Sequence, residues 1–294
     1  MDQKTLFVSY LAPIQLKAFL SDDSEVVLYC NKMSNSPFGM VPLRFKFEKE
    51  STENSIREGD RLMEECENLV PYHDVMSEKP VSFEGLPTMV DGKVKFTWSR
   101  VARAMSSCYI CGATWKEMGA RHGNFKPNKK ALTFGFSNLH VKMRAFEWVC
   151  KAGYLRRVKS YSCKGEFNKK LKEEDLDKLR TDFKTHFGYV IFGKTPHTGN
   201  IARAAFSKPD IFAQITGCPE SLINGLKTAL EAIDCKHKIS PEKFSNFANN
   251  WLEEFHSSPI SWNILTPTVH MLFVHGSDIL KSSPMAPGLL SGQF

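Results

Sequence analysis

Long apolar runs are absent from this 294-residue chain, and none reaches the length of a membrane-spanning helix. The opening residues, Met1 to Thr5, show no basic stretch followed by an apolar one, so no signal peptide is visible. Internal repeats, low-complexity segments and compact Lys/Arg-rich import runs are also missing. These absences argue against a membrane protein, a secreted protein and a repeat array.

Cysteine is too scarce for a disulfide scaffold: the chain has 8, and without a secretion signal they should be reduced. Contents of 42% hydrophobic and 24% charged residues are typical of a soluble globular protein with one large or two ordinary domains. Most of the cysteines lack the spacing of metal ligands and are expected to be buried free thiols; these are Cys30, Cys66, Cys150, Cys163, Cys218 and Cys235.

The other two cysteines, Cys108 and Cys111, form a C-x2-C motif, and His270 and His275 form an H-x4-H motif far along the chain. Together they supply the four ligands of a closed tetrahedral zinc site. A thioredoxin-like redox pair is the main alternative for the cysteines, but no βαβ unit lies nearby. For the histidines the alternative is that they are ordinary core residues. One shared ion would fasten the middle of the chain to its end.

The histidine spacing sets a geometric condition. Residues five apart on a straight α-helix differ by about 140° in azimuth. Pro267 and Gly276 bracket a short predicted helix, and Gly276 follows its expected end. His270 and His275 can therefore share an ion only if the helix bends or frays at its C-terminal end.

A net charge of +7 permits an anionic partner, and much of the basic excess falls between Arg100 and Lys172. Aromatic residues are interleaved with these cations: Phe125, Phe134, Phe136, Trp148, Tyr154 and Tyr161. This mixture suits phosphate contacts and base stacking. It equally suits a solvated basic surface over an ordinary aromatic core, and the sequence leaves both interpretations open.

The hydrophobic pattern predicts an N-terminal α/β region followed by a mainly helical region. Three short strands (Leu6–Leu11, Val26–Cys30 and Val41–Phe47) precede a helix over Ser51–Leu69, and a further strand is expected within Val81–Val94. Beyond the cysteines, helices are predicted over Asn138–Cys150, Glu173–Phe187, Thr216–Ile233 and Pro241–Phe255. We place the boundary at about residue 107, with an α/β part over 1–107 and a helical, zinc-fastened part over 108–294.

Four segments in this order resemble a known nuclease family. They are Val-Asp-Gly-Lys at 90–93, the C-x2-C motif, Thr-Gly-Asn-Ile-Ala-Arg at 198–203, and the H-x4-H motif. The chain resembles the catalytic core of the V(D)J recombination-activating recombinase and its relatives, the Transib-type DDE transposases. The resemblance covers nearly the whole chain. It implies a ribonuclease-H-like fold in the first part, here with its first strand missing, and a zinc site joining a helical insertion to it.

The resemblance also implies roles for particular residues. Asp91 matches the second of three catalytic acids, which lies on the strand after the first core helix, and the two motifs match the zinc ligands. His140 matches a residue near the active site, and Asn200 and Arg203 match a segment expected near the DNA backbone. Zinc is then structural, the partner is transposon-end-like DNA, a homodimer is expected, and the location is nuclear.

The other two catalytic acids have no counterpart in this sequence. The first would precede Met1, and the third would lie just beyond Ser291, where Gly292, Gln293 and Phe294 carry no carboxylate. One aspartate does not hold two Mg²⁺ or Mn²⁺ ions, so DNA cleavage and strand transfer are expected to be lost unless the missing acids are supplied.

Three hypotheses follow. The first is a DNA-binding protein derived from a transposase, by truncation or by domestication. The second is a non-enzymatic, zinc-stabilised interaction protein. The third is an active DDE recombinase represented by an incomplete chain.

Overall fold

The computed structural model describes residues 5–20, 22, 24–31, 36, 41–48, 51–73, 80–85, 92–101, 106–120, 123, 125–193 and 198–290. It is a mixed α/β structure that is mostly helical, and its strands form small sheets of two. Among the described residues, no helix is long and apolar enough to cross a membrane.

The strands lie in the first part of the chain, and each described strand pairs with one other in antiparallel fashion. β1 pairs with β4, β2 with β3, and β5 with β6. The strands are β1 (Thr5–Leu11), β2 (Gln15–Phe19), β3 (Glu25–Cys30), β4 (Val41–Glu48), β5 (Tyr72–His73) and β6 (Pro80–Val81).

The three predicted N-terminal strands are confirmed, and the structure adds β2 between the first two of them. The strand expected within Val81–Val94 is wrong for most of its described length. Val81 ends β6, residues 82–85 are irregular, and Gly92 begins a helix. Asp91, the predicted catalytic acid, lies outside the described residues.

Helices make up the rest of the described fold. They are α1 (Thr52–Glu67), α2 (Gly92–Ser99), α3 (Trp115–Met118), α4 (Lys129–Leu132), α5 (Asn138–Tyr154), α6 (Glu166–Phe187), α7 (Gly199–Ser207), α8 (Pro209–Thr216), α9 (Glu220–Asp234), α10 (Pro241–Ser257), α11 (Pro267–Val274), α12 (Gly276–Ser282) and α13 (Pro287–Leu290).

Local sequence determines several helix ends. The Ser51 side chain accepts a hydrogen bond from Asn54 N at the start of α1, and the Ser240 side chain accepts one from Lys243 N at the start of α10. Both satisfy an otherwise unpaired backbone donor. α6 ends at Gly188 with φ +75°, a left-handed conformation that glycine adopts without steric cost.

The hydrophobic core lies almost entirely beyond residue 107, in the helical part. α5 runs through it and contacts α6, α7, α8, α9 and α11. Trp148 of α5 is fully buried and packs near Trp251 of α10, which in turn stacks on Phe273 of α11 with ring centroids 3.8 Å apart. The helix that carries His270 is therefore anchored in the core through Phe273.

The N-terminal part joins this core through α1 and α2. The Trp98 indole N–H of α2 donates to the Ser55 carbonyl of α1, and the Trp98 ring meets the buried Phe134 edge-on. The β2–β3 hairpin differs, because Val26, Val27, Leu28 and Tyr29 are all more than 40% exposed. Side chains on both faces of β3 therefore lie open to solvent.

Candidate metal centre and nucleic-acid contact residues

The Cys108–Cys111 segment folds into a tight turn. Cys108 N donates to the Ala113 carbonyl at 2.8 Å, and Gly112 N donates to the Cys108 carbonyl at 2.8 Å. Gly112 has φ +75°, which only glycine adopts readily. The turn brings both sulfurs to the same side, with Cys108 fully buried.

The predicted bend in the histidine segment is confirmed. α11 ends at Val274, His275 is its C-cap with φ −112° and ψ 1°, and α12 begins at once with Gly276. The change of direction at His275 removes the 140° divergence expected of a straight helix. Gly276 does not adopt a left-handed conformation. Its role is close packing, because a Cβ there would lie 2.5 Å from the Phe244 ring.

The structure brings all four predicted ligands together. One potential ligand atom from each of Cys108, Cys111, His270 and His275 lies within 4.8 Å of the others. Cys111 Sγ and His270 Nε2 are 3.5 Å apart. Bond lengths of about 2.3 Å to sulfur and 2.0–2.1 Å to nitrogen place two such atoms about 3.5 Å apart on a tetrahedral zinc.

Unsatisfied polar atoms support a metal at this position. Both ring nitrogens of His275 and Nδ1 of His270 are buried without a hydrogen-bond partner. Asp278 Oδ2 is 3.9 Å from His275 Nδ1, too far for a hydrogen bond. Buried imidazole nitrogens are rarely left unpaired, so the cluster fits a metal ion such as zinc.

Two of the four side chains are held in the form that binds metal. The hydrogen bond from the Cys108 thiol lowers the pKa of Cys111, with smaller contributions from His270 and His275. Burial lowers the pKa of His270, which keeps its imidazole neutral. The same cysteine pairing, together with burial, raises the pKa of Cys108. Thiolate and neutral imidazole are the forms that bind metal, so Cys108 loses its proton when an ion enters.

Aromatic and sulfur-containing side chains pack around the metal cluster. Phe125 meets the His270 ring edge-on at a centroid distance of 4.7 Å. Tyr109 is buried between the cysteines, and its hydroxyl lies 3.0 Å from Met271 Sδ. This apolar surround restricts water access, as in structural rather than catalytic metal sites.

The predicted nucleic-acid contacts lie at two adjoining helix starts. His140 is exposed in the first turn of α5, where its Nδ1 is 2.6 Å from Ser137 Oγ. Asn200 and Arg203 are exposed on α7, and Arg203 donates to Asn200 Oδ1 at 2.7 Å. Gly199 packs against Leu139, which joins the two helix starts. Neither helix has a side-chain cap hydrogen bond at its N-terminus.

Most of the interleaved aromatic residues belong to the core. Phe134, Phe136 and Trp148 are buried, so base stacking is excluded for them, and Phe125 and Tyr154 pack half-buried against the core. Tyr161 remains 37% exposed. The expectation of buried thiols is confirmed for Cys150 and Cys218 and is wrong for the others, which are only half-buried: Cys30, Cys66, Cys163 and Cys235.

Two residues near the metal cluster were not predicted from the sequence. Asp278 follows His275 by three residues and faces its ring. Trp115 opens α3 directly after the cysteine turn and is 51% exposed. The capping box of Thr114 and Glu117 was a visible signal that a helix turn starts there.

Comparisons with known proteins leave the family open. No protein-family model matches the chain, and no curated protein matches it either.

Proposed function

We propose that this chain is a DNA-binding protein derived from a transposase of the Transib and recombination-activating type, with a structural zinc at its Cys/His cluster. The observation that carries the proposal is the meeting of the two predicted half-sites, C-x2-C and H-x4-H, in one buried cluster. The half-sites are about 160 residues apart, with Cys111 and His270 separated by 159 positions. If the two motifs were unrelated, the fold would not be expected to bring their side chains together.

The α5 and α7 helix starts support contact with DNA. Unpaired N–H groups and the helix dipole make a helix N-terminus favourable for phosphate. The His140 ring and the Asn200–Arg203 pair are exposed beside these two termini. A sugar–phosphate strand laid across both would meet two helix N-termini and one guanidinium.

The N-terminal α/β part agrees with a ribonuclease-H-like ancestry only in the order of its strands and first helix. Antiparallel strands precede α1, as in that fold, but the described strands form separate pairs, β1 with β4 and β2 with β3, rather than one sheet. Nuclear location and a homodimer are part of the proposal through the resemblance alone. We expect no DNA cleavage by this chain, because only Asp91 matches a catalytic acid.

Elemental analysis of the purified chain tests the metal site. We expect one zinc per chain, lost in both Cys108→Ser and His275→Ala. Cys235→Ser is the matched control, because Cys235 lies outside the cluster and should keep the metal. Folded protein without zinc would overturn the proposal.

Duplex binding at several salt concentrations tests the DNA contact. Affinity should fall with salt by a slope of about −0.9 for each phosphate neutralised, and Arg203→Ala should reduce that slope by about 1. Lys184→Ala is the control, since Lys184 is exposed in the last turn of α6, away from either helix start. Equal effects of both variants would contradict a specific contact at the helix start.

One observation favours a second candidate, a zinc-stabilised protein-interaction module. The exposed apolar residues of β3 are typical of a surface that another protein covers. Leu28→Lys distinguishes the candidates, because it should abolish such an association and leave the salt-dependent binding of DNA intact.

A further inference from the structure

A cavity of about 260 Å³ is built from the segments that carry the metal ligands. α3 contributes Trp115 and Met118, and the residues around the start of α11 contribute Ile264, Thr266 and Pro267. Ser106, Tyr161 and Leu265 complete the lining. We call this cavity the aromatic slot. Because Trp115 follows the cysteine turn and Pro267 precedes His270, the metal cluster fixes the distance between its two sides.

Hydrogen bonds hold the Ile264 side of the slot in place. The Tyr161 hydroxyl donates to the Ile264 carbonyl at 3.1 Å and also to the Asn263 side chain. The Trp148 indole N–H donates to the same Ile264 carbonyl at 3.0 Å. Asn263 is fully buried and donates to the Trp148 carbonyl at 3.2 Å. The slot is therefore preformed, which lowers the entropic cost of filling it.

Positive charge surrounds the aromatic rings. Lys151 Nζ lies 4.1 Å from the Tyr161 ring centroid, and Lys116 Nζ lies 5.6 Å from that of Trp115. Burial, together with the charge of Lys172, lowers the pKa of Lys151, so a nearby anion would be stabilising. No acidic side chain is found among the described residues that line the slot.

We propose that the aromatic slot binds one unstacked nucleobase of a single-stranded or locally opened nucleic acid, with Lys116 and Lys151 contacting the flanking phosphates. Trp115 and Tyr161 supply exposed rings for stacking. The inference extends the proposed DNA binding to a different surface and a different form of the ligand. It does not use the α5 and α7 helix starts.

The size and chemistry of the slot favour a base over a peptide side chain. Its volume is below the roughly 300–1,000 Å³ of drug-sized ligand sites, so it accommodates a single ring system. An aliphatic side chain would gain nothing from the two lysines. A nucleotide uses the rings and the cations together.

Fluorescence anisotropy with labelled oligonucleotides tests the proposal. The probes are oligo(dT), oligo(U), an abasic single strand of the same length, and a duplex. We expect Trp115→Ala to weaken oligo(dT) binding about 5- to 100-fold.

The matched control is Phe167→Ala, which removes a 72% exposed aromatic ring from α6, outside the slot. It should bind every probe as the unsubstituted chain does. Zinc content and circular dichroism establish that each variant is folded. The abasic strand keeps the phosphates and lacks the bases, so Trp115→Ala should hardly change its binding. Comparison of oligo(dT) with oligo(U) separates DNA from RNA as the source of the base.

The outcomes separate this inference from the proposed duplex contact. Loss of oligo(dT) binding in Trp115→Ala with normal duplex binding supports the slot, and Arg203→Ala should give the reverse pattern. If the chain fails to bind duplex but still binds oligo(dT) through Trp115, the slot survives and the duplex proposal fails. Equal effects of Trp115→Ala on base-containing and abasic strands, or binding of only an apolar peptide, would overturn the slot.

Discussion

Gly112 is the residue on which the cysteine turn depends most directly. Its φ of +75° is a conformation that costs other residues about 1–2 kcal/mol. A Cβ at this position would also lie 3.2 Å from both Val101 Cγ1 and the Val101 carbonyl oxygen. Substitution therefore adds crowding to strain within the loop that positions Cys108 and Cys111.

We predict that Gly112→Ala lowers the free energy of unfolding by more than 1 kcal/mol and weakens zinc binding. Gly165→Ala is the matched control, because Gly165 has φ +83° but no atom within 4 Å of the added Cβ. It should lose stability through strain alone and keep its metal affinity. Chemical denaturation and zinc competition measure the two quantities, and equal zinc affinities in both variants would contradict the prediction.

At the scale of elements, the metal cluster joins α11 to the cysteine turn. Three of the imidazole nitrogens at this junction are buried and have no hydrogen-bond partner. Each buried, unpaired polar group costs about 1–3 kcal/mol. By contrast, α9 packs through Leu222, Ile223, Leu226 and Leu230, which need no metal.

We therefore expect metal removal to loosen the structure locally. Hydrogen exchange after chelation should speed up in α11 and in residues 106–118, while α9 keeps its protection. Added zinc should restore the original rates. A uniform rise in exchange over the whole helical part would show that the metal supports the entire fold rather than these two segments.

Some elements of the structure could be predicted from the sequence, and others could not. The four residues of the Cys/His cluster were predictable because few residue types bind zinc and their spacing is restrictive. Helices with clear apolar periodicity were predicted, as for α10, within two residues at its end. The aromatic slot was not predictable, because residues 115, 161 and 266 meet only through the tertiary fold. The burial of Phe134 and Phe136 was left open for the same reason.

At the scale of the whole molecule, stability is unevenly distributed. The buried hydrophobic cluster begins at Cys108, and α1 and α2 attach to it through Trp98. The β2–β3 hairpin has no comparable support among the described elements, since its contacts are mainly between its own two strands. An isolated two-stranded hairpin is marginally stable in water, so this part should open far more often than the helical core.

Limited chymotrypsin digestion should therefore cut first in the hairpin, where Phe19, Leu20, Leu28 and Tyr29 are exposed. Phe247 serves as the internal comparison: it is half-buried in the middle of α10, whose backbone hydrogen bonds keep it out of a protease cleft. Mass spectrometry should find the hairpin bonds cleaved and the bond after Phe247 intact. The clipped protein should retain zinc and its helical thermal transition, because neither depends on β2 or β3. If zinc and helicity are lost together with the hairpin, the strands are instead an integral part of the core, and the protein unfolds as a single unit.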